Sequence, residues 1–202
     1  MKLQNLLEHR RSVRLFNDKR SIPPNDVEDC LRQATLAPTS SNMQLWQFIH
    51  LVDSSWRDGL TKACLGQKAA STATQWVVFV TRQDFFRSRA KFLLNFEKLN
   101  IERNSPTERQ AKRIALRKVY YGRLMPLLYA RFFRLLGIMR KLIVLIMGIF
   151  RPVVREVSET EIRTVVHKSC ALAAQTFMLA MAEKGYDTCP MEGFDIKMVK
   201  KL

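Results

Sequence analysis

The stretch SETEIRTVVHKSCALAAQTFMLAMAEKGYDTCPMEGFD, residues 158–195, holds the clearest helix of the chain and the turn after it. Ser158 and Glu161 have the spacing of a capping box, in which each side chain satisfies an orphan amide at the other residue. Ile162, Val165, Val166, Ala173, Phe177 and Ala180 supply a buried face, and Gly185 is placed to take the left-handed conformation that ends a helix. Beyond it, CPMEGFD (189–195) combines Gly193, which permits close backbone approach, with the carboxylate of Glu192. Taken alone, that segment is an ordinary turn.

Towards the N-terminus the pattern alternates helix and strand. Leu3, Leu6 and Leu7 predict a short helix over about 2–9. A second helix begins after Pro23 and Pro24, with Val27, Cys30, Leu31 and Ala34 on one apolar face. It stops near Ala37, because Pro38 lacks an amide donor and restricts the residue before it. Thr39, Ser40, Ser41 and Asn42 form a polar loop before a strand at 46–52. A helix over 56–73 leads to a second strand at 76–81, which reads as the more buried of the two because Trp76 to Val80 is continuously apolar. From 85 to 121 the chain is charged and largely helical, with a break at Asn104, Ser105 and Pro106.

A formal charge of +16 on 202 residues attracts polyanions at long range. Its distribution is uneven: twelve Lys and Arg and no Asp or Glu lie between Arg109 and Arg155. The same region carries the apolar runs 124–130, 135–139 and 142–150. The longest is nine residues, too short to cross a bilayer, which needs about 20. Basic groups interleaved with exposed apolar ones predict docking of 109–155 on an anionic membrane surface, with a hairpin turning near Gly137. Buried packing or dimer contact is the alternative. A nucleic-acid module is disfavoured, since no recognition motif accompanies the charge.

Cys30, Cys64, Cys170 and Cys189 are widely spaced, without CxxC or zinc-ligand spacing, and read as reduced thiols. The first nine residues lack the apolar run of an export signal, so the expected location is cytoplasmic, or peripheral on the cytoplasmic membrane face. His9, His50 and His167 read as solvated or packing residues.

RRSVRLF places Arg10, Arg11 and Arg14 around Ser12, a set able to bind phosphate through charge-assisted hydrogen bonds or to be a solvated basic turn. APTSSNMQLWQF (37–48) offers hydroxyl and amide partners, or simply a helix stop and strand start. Together with LAAQTFMLAMAEKGYDTCPMEGFD (172–195), in this order and spacing, these segments resemble the nitroreductase family over most of the chain outside roughly 85–155.

The resemblance implies an α+β, three-layer fold with a central, mainly antiparallel sheet flanked by helices. The expected organisation is one domain over 1–202, with a basic, apolar helical insertion at about 109–155. It also implies a homodimer with FMN in clefts at the subunit interface, NAD(P)H as electron donor, and a nitroaromatic, quinone or related small-molecule acceptor. On matching positions, Arg10, Ser12 and Arg14 would hold the FMN phosphate and ribityl chain or the pyrimidine edge, with Arg11 adjacent. Pro38, Thr39, Ser40 and Asn42 resemble a loop reaching FMN from the partner subunit, and Gln67 a position near the flavin. Pro190, Met191, Glu192 and Gly193 resemble the segment lying against the isoalloxazine ring. No catalytic side chain and no metal is expected, because the chemistry is flavin-centred. Family chains continue through another strand, so a longer gene product or a partner completing the sheet is expected. A non-enzymatic flavin-binding or structural relative is the other reading of these motifs.

Overall fold

The structure, a computed structural model, describes residues 3–202. In chain order the elements are α1 (Leu3–His9), α2 (Pro24–Ala34), β1 (Trp46–Leu51), α3 (Trp56–Ala63), α4 (Lys68–Thr72) and β2 (Trp76–Thr81). Then come α5 (Phe86–Asn104), α6 (Thr107–Val119), α7 (Met125–Tyr129), α8 (Leu135–Phe150), α9 (Glu159–Glu183) and α10 (Ile196–Val199). β1 and β2 pair antiparallel: Arg82 N donates to Leu45 O, and His50 meets Gln75 further along. Helices around this small sheet make the fold α+β, as expected. Position 2 of the expected first helix lies outside the described residues.

The chain forms two compact units. The first comprises the described part of Met1–Ala37, with Phe48–Val80 and Leu172–Leu202. Its core packs Val27, Cys30 and Ala34 of α2 with Phe177, Ala180 and Met181 of α9, and with Phe48, Val77 and Phe79 of the strands. The Phe79 ring lies 4.9 Å from that of Phe48 and 5.6 Å from that of Phe177. β2 is half-buried along its length and not the deeply buried strand its composition predicts. Its sheet has two strands, so β2 has a sheet neighbour on one side only among the described residues.

Two local devices in this unit, one after α3 and one after α9, redirect the chain. The expected helix over 56–73 is divided into α3 and α4, because Leu65 and Gly66 adopt φ of 57° and 73°. Gly66 N then donates to Thr61 O and Leu65 N to Lys62 O, closing α3 by satisfying its terminal carbonyls. At the end of α9, Gly185 takes φ 78°, with Gly185 N on Ala182 O and Tyr186 N on Met181 O. Lys184 Nζ and Tyr186 OH meet the Asp26 carboxylate at 2.6 and 2.7 Å, which ties the exit of α9 to the first turn of α2.

The second unit comprises Pro38–Gln47 and Thr81–Ala171. Met43, Leu45, Ala90, Leu93, Tyr121, Met125, Tyr129, Ile162 and Val166 form its core. The break between α5 and α6 falls at Ser105 and Pro106, where the sequence places it. Ser158 and Glu161 form the expected capping box: Glu161 N donates to Ser158 Oγ at 3.2 Å and Ser158 N to Glu161 Oε2 at 2.8 Å. Two expectations for the middle region are corrected. The run 124–130 is partly core, through Met125 and Tyr129. The chain does not turn at Gly137, which lies inside the continuous helix α8. A Cβ there would lie 2.8 Å from Glu159 N, so glycine lets α8 approach the start of α9.

Candidate functional site

Three of the segments singled out in the sequence meet within the first unit. After α1 the chain runs extended, and Ser12 forms a parallel bridge with Thr188, with Val13 N donating to Thr188 O at 3.1 Å. The arginine segment 10–14 therefore lies beside the chain that leads from α9 into CPMEGFD. Phe16 N donates to Thr72 Oγ1 at 3.0 Å and holds the far end of the segment.

Gln67 reaches the same place, because the positive-φ pair before it ends α3 and redirects the chain. Gln67 Nε2 donates to Gly193 O at 2.8 Å, and a Cβ on Gly193 would lie 3.3 Å from that nitrogen. Asp195 N donates to Ala63 O at 2.8 Å, while its carboxylate accepts from Lys197 N and Met198 N at the start of α10. The turn through Pro190, Met191, Glu192 and Gly193 is thus fixed at its C-terminal end, with Pro190 and Glu192 exposed.

The arginines beside this chain, Arg10, Arg11 and Arg14, have no carboxylate partner among the described residues. Arg11 donates to Leu7 O and Arg10 O. Thr188 Oγ1 is buried without a hydrogen-bond partner beside Ser12. Guanidinium groups without a carboxylate partner and an orphan hydroxyl fit a ligand with an anionic end. Thr188, Thr72 and the Ala63 carbonyl escaped the sequence reading. Each acts through a contact with residues distant in sequence, and no local pattern marks them.

The loop Pro38, Thr39, Ser40 and Asn42 belongs to the second unit, where it is built to hold a strained shape. Ser41, Asn42 and Gln44 have φ of 53°, 54° and 47°. Ser41 Oγ meets Tyr120 OH at 2.7 Å, Tyr121 OH donates to Ser41 O, and Ser40 N donates to Ser169 Oγ. Gln44 N donates to Thr39 Oγ1. These bonds occupy the loop's interior and leave Pro38 and Asn42 exposed.

No histidine is set up for acid–base work with a nucleophile. His50 Nε2 meets Gln75 Oε1 at 2.7 Å, His167 lies 3.4 Å from Arg163 Nε, and His9 ends α1 in solvent. Burial pushes the Cys30, Cys64 and Cys170 thiols up, away from the reactive thiolate.

Comparison with known proteins places the chain in a family. The profile of the nitroreductase family matches residues 7–202. MhqN of Bacillus subtilis (strain 168), named as an NAD(P)H nitroreductase, is 23% identical over 198 residues, covering 98% of this chain and 79% of that protein. The crystal structure of ydfN from Bacillus subtilis, named as a nitroreductase, superposes with a TM-score of 0.69 at 20% identity, covering 99% of this chain and 79% of the other. A structure named as a nitroreductase in complex with FMN, from Exiguobacterium sibiricum 255-15, gives 0.64 at 18% identity, covering 100% and 79%. With the arginine segment, Gln67 and the glycine turn drawn together in a chain that matches from residue 7 to its last residue, this protein belongs to the nitroreductase family.

Proposed function

We propose that the chain is an FMN-dependent oxidoreductase, taking electrons from NAD(P)H and passing them to a nitroaromatic, quinone or related electron-poor acceptor, and that it works as a homodimer. The observation that carries this reading is the convergence of the unpaired Arg10–Arg14 segment with Gln67 and the 190–193 turn. In this assignment Arg10, Ser12 and Arg14 bind the phosphate, ribityl chain or pyrimidine edge of FMN, and Arg11 contributes backbone and charge beside them. Pro190, Met191, Glu192 and Gly193 lie against the ring, and the hydrogen bond from Gln67 to Gly193 O holds their backbone in place. Pro38, Thr39, Ser40 and Asn42 close the pocket from the partner subunit. FMN, when bound, supplies the electron transfer, so the protein's task is orientation, access and electrostatics. A lipid-soluble quinone, met at an anionic membrane surface by residues 109–155, is the acceptor that best suits the chain's charge and exposed apolar groups.

Replacing Arg10 and Arg14 together with Ala tests the site. Each lost charge-assisted contact is worth roughly 1.5–3 kcal/mol, so FMN affinity, read by flavin fluorescence titration, should fall at least tenfold. Unchanged affinity in a folded variant would reject these ligands. Steady NAD(P)H oxidation with an added quinone or nitroaromatic separates the enzyme from an inert flavin binder.

A further inference from the structure

Helix α8 is amphipathic in the wrong direction for a protein surrounded by water. Leu135, Ile138, Met139, Leu142, Ile143, Leu145, Ile146, Ile149 and Phe150 are all exposed, the last two by 75% and 82%. At 100° per residue they cover an arc of about 160°. The two charged residues of the helix point the other way. Arg140 is buried and its Nη1 donates to the carbonyls of Leu127, Leu128 and Ala130, at the end of α7. Lys141 Nζ bonds Arg155 O at 2.9 Å and the Glu161 carboxylate at 2.7 Å. At the start of the helix the Glu159 carboxylate accepts from Phe132 N at 3.0 Å, with Arg134 and Gly137 amides also bonded to it. Polar anchors thus fasten α8 to the second unit while its bulky face stands outward.

Exposing so many Leu, Ile and Phe side chains to water costs about 25 cal/mol for each Å² left uncovered, so this face is built for a cover. Charge identifies the cover. Exposed Phe132 and Phe133 precede the helix, and Arg131, Arg134, Arg151 and Arg155 flank its ends, with no Asp or Glu anywhere from Arg109 to Arg155. A second copy laid on this face would oppose arginine with arginine. A phospholipid surface with anionic headgroups offers apolar depth to the helix and negative charge to its rim. At 1.5 Å per residue, 16 residues extend about 24 Å, which suits a helix lying in the interface plane and not one crossing it. Beside α8, a groove of about 460 Å³ has Ile138, Leu142 and Leu145 as walls, with Arg134, Lys141 and Glu159 among its lining residues. Its apolar walls match an acyl chain.

We infer that α8 is an interfacial anchor that lies in the headgroup layer of an anionic bilayer with its apolar arc inward to the lipid. This narrows the membrane contact from 109–155 to 131–155, and it stands without the flavin assignment because its test reads no activity. The whole chain is mixed with vesicles of phosphatidylglycerol and phosphatidylcholine, or of phosphatidylcholine alone, and pelleted. Binding should favour the anionic vesicles and fall about fivefold for each of Arg131, Arg151 and Arg155 changed to Gln. The triple variant Ile146→Ser, Ile149→Ser, Phe150→Ser, all exposed positions, should lose anionic-vesicle binding at least tenfold while keeping its melting curve. Phe150→Trp, which removes nothing from the apolar face, should blue-shift in fluorescence on anionic vesicles and be quenched by brominated acyl chains. Equal pelleting of wild type and the serine variant, or a Phe150→Trp emission indifferent to vesicles, overturns the anchor. So does self-association in the absence of lipid that the serine variant abolishes, since a second copy would then cover the face.

Discussion

Arg140 shows how one side chain decides which way a helix faces. In sequence it is one of twelve basic residues in an acid-free stretch and reads as part of a solvated rim. In the structure it is 4% exposed, and burial pulls its pKa below the usual guanidinium range. Three carbonyls at the end of α7 share one of its nitrogens, where the helix dipole also favours a cation. Its Nε and Nη2 are buried without partners, so Arg140→Met removes two orphan donors along with the bonds to these carbonyls and should destabilise the protein by about 1–2 kcal/mol. Urea denaturation gives the value, and a loss below about 1 kcal/mol would mean that water replaces the guanidinium. The segments of the candidate site stand out in sequence where their chemistry is local, as at Arg10, Ser12, Arg14 and Gly193. Thr188 was invisible because its role comes from pairing with Ser12, 176 positions earlier in the chain.

Among elements, α9 and the break between α5 and α6 were readable because capping residues, Pro106 and Gly185 act over a few residues. The division of α3 from α4 had its signal in Gly66, although the positive φ falls one residue earlier as well. The orientation of α8 was not readable: periodicity gives an apolar arc but not the side on which protein lies. The capping box at α9 yields a pH prediction. The Lys141 ammonium, then the Ser158 amide and hydroxyl, pull the Glu161 carboxyl from its ordinary 4.5 to about 2. A depressed carboxylate contributes stability above its unfolded pKa and loses it as pH falls through the folded value. The contribution of Glu161 is thus complete above about pH 4.5 and disappears towards pH 2. Glu161→Gln should melt earlier than wild type at pH 7, and the two curves should converge as pH falls through this window. A gap that stays constant from pH 7 to 2.5 would show that the carboxylate's charge is not what stabilises the helix start.

Over the whole molecule, charge is divided as unevenly as the apolar surface. The second unit carries twenty Lys and Arg against seven Asp and Glu, a net of +13, while the first is close to balanced at +3. Few of the second unit's cations have partners: its ion pairs are Arg82 with Asp84, Lys98 with Glu102, Arg117 with Glu97, and Lys141 with Glu161 among the described residues. Exposed pairs of this kind contribute little, roughly 0–1 kcal/mol each, so they do not offset the repulsion among the remaining guanidinium and ammonium groups. Self-repulsion of like charges opposes compaction and is screened by salt, with the Debye length shrinking from about 30 Å at 0.01 M to about 8 Å at 0.15 M. The same charges dictate two opposite responses to salt. Raising sodium chloride from 0.01 to 0.15 M should raise the melting temperature of the protein in calorimetry, because repulsion within the second unit is relieved. The same change should weaken its binding to anionic vesicles, because attraction to the headgroups is screened. A melting temperature that falls with salt would show that the four ion pairs, and not the uncompensated cations, dominate the electrostatics of this unit. Vesicle binding that resists salt while the melting temperature rises would place the weight of attachment on Ile146, Ile149 and Phe150, with the arginines reduced to steering the approach.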